Sequence, residues 1–379
     1  MFFIARFLPV WWKECVVNMK KVGIITMHRV VNYGSFLQAY ALKKTIESFG
    51  YNVEFIDFHY EKSLVSIKKI PLVIKIYMNR NVINYIKRKR FKKELNGLYQ
   101  KSLAKYLNVT KVPNYNKNIN CLIIGSDEVF NCMQGYPVGY SKELFGKNFD
   151  EIKVITYAAS FGHTRYFDLK KHNIDFEVGN LLKKMKSISV RDRNSYQIVS
   201  RLTHTLPAQH LDPVLIGNFD NELINITVTK SNYIVLYAYE GRLKKDEENY
   251  IKQISKEKGK KIVSIGFYQK IADYNLILTP FEVLAYIKHA DYVITDTFHG
   301  TIFSIKMKSK FCTIIRESNK NKLLTLLKKL RLEHRSIKNN EDIQKLYDKE
   351  IDYSEVENII NFEIDKSIKY LKENIWFKM

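Results

Sequence analysis

A single histidine stands where a short apolar run meets a helix-like one. In "DYVITDTFHGTIFSI", residues 291–305, "YVIT" reads as a buried strand and "GTIFSI" as the opening of a helix. His299 and Gly300 lie at the junction. Helix N-termini carry unpaired N–H groups and a partial positive charge, so anions settle there. A histidine at that point hydrogen-bonds an anion or moves a proton near neutral pH. The plain alternative is a histidine that only caps the helix.

Other loops carry comparable chemistry, each after an apolar run. "TMHRVVNYGSF" (26–36) offers His28, Asn32, Tyr33, Gly34 and Ser35. Gly34 permits close approach of a ligand, and the next helix begins beside it. The loop lacks the GxGxxG spacing of a dinucleotide site. "IIGSDEVFN" (123–131) places Gly125, Ser126 and Asp127 at a strand end, where the carboxylate orients a hydroxyl or acts as a base. "SVRDRNS" (189–195) supplies Arg191, whose fork matches carboxylate or phosphate. "IIRESNKNK" (314–322) supplies Arg316, Lys320 and Lys322. "LDPVLI" (211–216) puts Asp212 before Pro213 and reads as a turn between domains. Each loop also has a plainer reading as a cap, a packing turn or a surface ion pair.

Strands and helices alternate around these loops. "KVGIIT", "VEFIDF", "CLIIGSD", "VITYAAS" and "SISVRD" read as strands of a first sheet. "SFLQAYALKKTIESFG" reads as a helix capped by Ser35 with Gln38 and ended by Gly50. "YIVLYAYE", "KIVSIGF", "DYVIT" and "KFCTII" form a second series. The expected architecture is α/β: two Rossmann-like, doubly wound domains facing a cleft. The boundaries are 19–215, with a basic helical insertion at about 62–106, and 220–335. A helical tail at 336–379 carries Val356, Ile360, Ile364, Ile368 and Leu371 at helical spacing. Ligands bind at the carboxyl ends of such sheets.

Composition bounds the rest. The 379 residues suit two domains. Four scattered cysteines lack zinc spacing, so no metal site is expected, and they suggest neither a disulfide framework nor an oxidising compartment. Residues 1–18 are interrupted by Arg6, Lys13 and Glu14 and read as an extension outside the fold, or as an interfacial anchor. The net charge of +23 is local: 15 Lys/Arg face 2 acidic residues between Glu61 and Lys117. Readings of that segment are an anionic membrane surface contacted through 68–93, nucleic acid, or a solvated helix.

Taken together, "GIITMHRVVNYGSFLQAYAL", "IIGSDEVFN", "YAASFG", "SVRDRNS", "LDPVL" and "ADYVITDTFHGTIFSI" resemble the polysaccharide pyruvyl transferase family in order and spacing. The resemblance runs from Met19 to about Arg335. It implies a GT-B-like fold whose C-terminal helix packs back on the body. It also implies transfer of pyruvate from phosphoenolpyruvate, as co-substrate and with no cofactor, to a sugar of a cell-surface glycan precursor as a ketal.

The implied roles are His299 and Asp127 in catalysis, and Arg191, Arg316, Gly300, Thr297 and Lys320 around the donor. The loop residues His28, Asn32, Tyr33, Gly34, Ser35, Gly125 and Ser126 would line the acceptor side. The implied acceptor is lipid-linked or nucleotide-linked, and the enzyme cytoplasmic, at the inner face of the plasma membrane, without a nucleic-acid partner. One departure is Thr297, where some relatives carry arginine. Two alternatives stay open: a glycosyltransferase using a nucleotide sugar, with Glu317 as its ribose-binding carboxylate, and a non-catalytic component of glycan assembly.

Overall fold

Strands that are apolar from end to end require cover on both faces, and the computed structural model provides it twice. It describes residues 20–65, 82–135 and 138–375. The proposed extension 1–18 and residues 66–81 of the basic segment lie outside these. The strands are β1 (Lys21–Ile25), β2 (Asn52–Phe55), β3 (Cys121–Asp127), β4 (Lys153–Ala159), β5 (Ser189–Val190) and β6 (Ala208–Gln209) in the first sheet. The second sheet holds β7 (Tyr233–Tyr237), β8 (Lys261–Ile265), β9 (Tyr274–Leu276), β10 (Tyr292–Thr295), β11 (Phe311–Ile314) and β12 (Ser336–Ile337). Strands β6, β9 and β12 are too short to show as apolar runs in the sequence.

All neighbouring strands within each sheet pair in parallel. The orders are β2-β1-β3-β4-β5-β6 and β12-β11-β10-β7-β8-β9. The winding direction therefore reverses between β1 and β3 in one sheet and between β7 and β10 in the other. At such a reversal the following loops part and leave a crevice beyond the strand ends. Both crevices are bounded by loops singled out above, those after β1, β3 and β10.

The helices that matter to these crevices are α1 (Tyr33–Glu47), α2 (Val82–Ser102), α3 (Arg193–Thr203), α4 (Phe298–Lys306), α5 (Lys320–Lys329) and α6 (Tyr353–Ile375). The start of α1 differs from expectation. Asn32, not Ser35, is its N-cap, with the Asn32 side chain accepting from Gly34 N–H at 2.7 Å. Ser35 and Gln38 form no capping box. Their side chains are instead drawn to Asp127 and Thr26, because tertiary partners outweigh a local cap.

The two sheets share one apolar core. At the junction Phe281, on the helix Pro280–Lys288, receives Phe36, Tyr40 and Tyr106 at ring separations of 6.2, 4.9 and 4.8 Å. Such aromatic pairs add about 0.5–1.5 kcal/mol each beyond burial. Tyr33 Oη donates to Leu278 O across the same junction at 2.5 Å. Helix α6 then returns to the first sheet: Tyr370 Oη donates to Thr156 O at 2.9 Å, and Leu371 is fully buried. This is the GT-B-like arrangement of two Rossmann-like units with a returning C-terminal helix.

The return of α6 rests on a buried neutral histidine. His210 packs against Tyr157 and Tyr370, with ring centroids 5.7 and 4.6 Å away, and its Nδ1 lies 2.7 Å from Ser189 Oγ. Burial, with Lys366 and Lys329 nearby, pushes it from 6.5 down to about 3. Between those values the unfolded chain binds a proton that the folded chain refuses. Stability from this site is complete above about pH 6.5 and falls as pH drops, by up to about 1.4 kcal/mol per pH unit. Urea unfolding between about pH 7 and about pH 4 should lose stability more steeply in the wild type than in His210→Gln; equal slopes would contradict this assignment.

Candidate active site

The loops after β1, β3, β7, β10 and β11 converge on one cavity of about 230 Å³ between the two sheets. The first domain contributes Ser35, Asp127 and Glu128; the second contributes Arg242, His299 and Lys322. Helix α4 opens at the cavity: Thr297 is its N-cap and accepts from Gly300 N–H at 2.8 Å. His299 therefore lies in the first turn of α4, as its place in the sequence suggested. Thr297 orients this turn, and Gly300 packs against Thr295 and Tyr237, where a Cβ would meet Thr295 Oγ1 at 2.2 Å.

Asp212, read from the sequence as a turn between domains, does more than turn the chain. It does cap the short helix Pro213–Ile216, accepting from Val214 N–H at 3.1 Å. Its carboxylate is also fully buried between one side chain from each domain, Arg191 and His299. Arg191 Nη1 donates to Oδ2 at 2.5 Å, and His299 Nε2 lies 3.6 Å from the same oxygen. Burial alone would raise the Asp212 carboxyl; the facing His299 and Arg191 outweigh it and hold the carboxyl low. Arg191 stands 3.8 Å from Asp127 and beneath the Phe298 ring at 4.4 Å. It braces the site from behind and does not line the cavity. Burial works against its charge, but Asp212 and Asp127 raise its pKa.

Asp127 and Glu128 form the acidic wall. Ser35 Oγ donates to Asp127 Oδ2 at 2.6 Å, and Glu128 N–H donates to Oδ1 at 2.9 Å. Glu128 pairs with Lys322 and accepts from Asn131 Nδ2 at 2.6 Å. Burial would raise the Glu128 carboxyl, but Lys322, Asn131 and Arg191 pull it down to about 2. Opposite stands Arg242, which bonds Ser318 and covers the Tyr239 ring at 4.8 Å. Arg242, Glu128 and His163 line the cavity without having been singled out from sequence. The position of Arg242 after β7, beside the reversal, was the available signal.

Several expected residues serve structure instead. His28 is buried, with Nδ1 3.2 Å from Thr26 O and Nε2 3.5 Å from Asp57, away from the cavity. Arg316 is held by both Glu247 oxygens at 2.8 and 2.7 Å. Lys320 points outward beside Glu317, which is itself almost fully exposed; Lys322, two residues on, faces the cleft. Ser126 Oγ donates to Ala158 O, and Gly125 packs on Tyr157 O, so this pair shapes the loop that carries Asp127. Asn32 lines the cavity, while Tyr33 ties the domains together.

A histidine, basic side chains and carboxylates from two Rossmann-like domains thus line one cleft. The sequence pattern of the family described as "Polysaccharide pyruvyl transferase" matches residues 32–318, and the chain belongs to that family, a family of transferases. No curated protein matches the chain. Solved structures similar to it include the UDP-GlcNAc 2-epimerase of Methanocaldococcus jannaschii, at 12% identity and TM-score 0.46 over 91% of this chain and 99% of that one. The Neisseria meningitidis UDP-GlcNAc 2-epimerase bound to UDP-GlcNAc is similar at 10% identity and TM-score 0.48, over 94% and 99%. Arabidopsis thaliana UGT89C1 complexed with UDP-L-rhamnose is similar at 10% identity and TM-score 0.46, over 94% and 97%.

Gly34 explains how His299 fits. A Cβ at Gly34 would lie 2.0 Å from His299 Nδ1, so the imidazole occupies the space that a side chain would fill. Gly34→Ala should cost about 1–3 kcal/mol by overpacking. Adding His299→Ala should relieve it, so the double variant should cost at least about 1 kcal/mol less than the sum of the single ones. Urea unfolding of the four proteins checks this; strict additivity would mean that the two residues do not share the space.

Proposed function

We propose that the protein transfers the pyruvate unit of phosphoenolpyruvate to two hydroxyls of a glycan-precursor sugar, forming a ketal and releasing phosphate. The observation that carries this reading, together with the family, is the division of the cleft. A small anionic donor would meet Lys322, Arg242 and a helix N-terminus from the second domain, taking Lys322 from its pair with Glu128 and Arg242 from Asp296 at 3.8 Å, while Asp127 of the first domain would face sugar hydroxyls.

In this reading Lys322, Arg242 and the first turn of α4 hold the donor's phosphate and carboxylate. Asp127, aligned by Ser35, accepts the proton of the attacking hydroxyl as its oxygen adds to C2. His299 delivers a proton to C3, turning the methylene into a methyl group. The C2–O bond to phosphate then breaks, phosphate departs with the proton held by Asp127, and the second hydroxyl adds to C2 and gives its proton to His299, which the first addition left neutral. Asp212 and Arg191 are positioning residues: Asp212 orients His299, and Arg191 compensates the Asp212 charge. A glycosyltransferase reading loses its proposed ribose partner, because Glu317 points to solvent.

The partner surface belongs to the same proposal. No described helix is long and apolar enough to cross a membrane. Helix α2 exposes Val82, Ile83 and Ile86 beside Lys87, Lys89 and Arg90, a combination that suits an anionic membrane surface from the cytoplasmic side. The 68–81 part of this expectation lies outside the described residues. Co-sedimentation should be stronger with phosphatidylglycerol-containing vesicles than with phosphatidylcholine alone; equal binding would end the membrane reading.

The reaction itself is tested in deuterium oxide with phosphoenolpyruvate and an extracted glycan-precursor fraction. The product's methyl group should carry one solvent deuterium, with phosphate released in equal amount. His299→Gln should lower the rate about 10²–10⁴-fold, the usual contribution of a positioned acid or base, while circular dichroism shows the variant still folded. Release of a nucleoside diphosphate without phosphoenolpyruvate turnover, or full activity of His299→Gln, would refute it.

A further inference from the structure

A second cavity of about 480 Å³ adjoins the first, roofed by α2 and floored by the loops after β7 and β8. Tyr239 lines both, and its hydroxyl lies 3.4 Å from Asn32 Nδ2, at the edge of the catalytic cavity. The groove has aromatic walls. Phe267 packs against Tyr239 at 4.6 Å between centroids, and Phe91 of α2 packs against Tyr268 at 6.1 Å. Tyr239, Phe267 and Tyr268 are only half-buried, so part of their surface is open. Gly266, at φ +81°, forms the floor; a Cβ there would press on Tyr33 and Tyr237 at 3.3–3.4 Å.

The rim is polar. Glu240 is clamped by Arg88 and by Lys92, the latter at 2.8 Å, which fixes α2 over the β7 loop. Asn96 lines the groove one turn further along α2. A hydrocarbon tail filling this space would strip water from these groups and leave hydrogen bonds unmade, at a cost of about 1–3 kcal/mol each. A pyranose matches better, because its C–H faces lie on aromatic rings while its equatorial hydroxyls reach a polar rim.

We infer that this groove is the acceptor subsite that holds the sugar next to the one being modified. The inference rests on the reading of the adjoining cleft as a sugar-modifying site. Tyr239 then divides the two subsites: the reacting sugar faces Asp127, and its neighbour stacks under α2. Specificity for the glycan would come from Phe267, Tyr268 and the α2 rim, not from the catalytic residues.

Saturation-transfer NMR on the full chain tests this with methyl β-lactoside and methyl β-cellobioside as disaccharide probes and UDP as a nucleobase probe. Saturation should pass from the protein to the pyranose ring protons of at least one disaccharide. Binding of that probe should weaken at least tenfold in Tyr268→Ala and in Asn96→Trp, which fills the groove from an exposed helix position. The inference is overturned if neither disaccharide receives saturation, if only UDP does, or if both variants bind as the wild type. Phosphate release from phosphoenolpyruvate reports separately on the donor reading, so either idea can fail alone.

Discussion

The buried carboxylate of Asp212 is the constraint around which the cleft is arranged. A charge with no solvent access must be paired, and breaking such a pair costs about 3–5 kcal/mol. Asp212 lies between the two sheets in sequence and is answered from both: Arg191 follows β5, and His299 opens α4. One buried carboxylate therefore faces a residue of each domain beside the cavity. It also explains why Gly34 must lack a side chain, since the imidazole held toward Asp212 lies against its Cα.

From that fixed point the charges sort by domain. Asp127 and Glu128 close the first-domain side, and Lys322 crosses from α5 to Glu128. Arg242 stands over Tyr239 on the second-domain side. Basic side chains of the second domain and carboxylates of the first thus meet within one small volume. The aromatic junction around Phe281 keeps the halves in register, so the cleft depends on packing as well as on charge.

The fold was legible because its central strands are long apolar runs, and some cavity-lining residues were legible because they follow those runs. His299 and Asp127 are of this kind. Asp212 was read as a turn, and locally that is correct: it caps a helix before Pro213. Its second role depends on two residues distant in sequence, which no local pattern carries. Lys320 and Lys322 differ only by helix phase; the first faces solvent and the second the cleft. Arg316 looked available until Glu247, 69 residues away, claimed its guanidinium. The Ser35 cap failed for the same reason, since Asp127 took its hydroxyl. Local chemistry named the elements, and long-range pairing decided which polar groups were left for function.

The most direct measurement is thermal unfolding of the purified protein with phosphoenolpyruvate beside UDP-GlcNAc and other nucleotide sugars, in the wild type and in Lys322→Ala. A ligand present at about 100 times its Kd stabilises the folded state by about 2.7 kcal/mol, which is readily seen as a shift in Tm. Phosphoenolpyruvate should raise Tm, Lys322→Ala should largely lose that shift, and nucleotide sugars should give none. A shift with a nucleotide sugar alone would contradict this and would mean that the cleft serves a glycosyl donor.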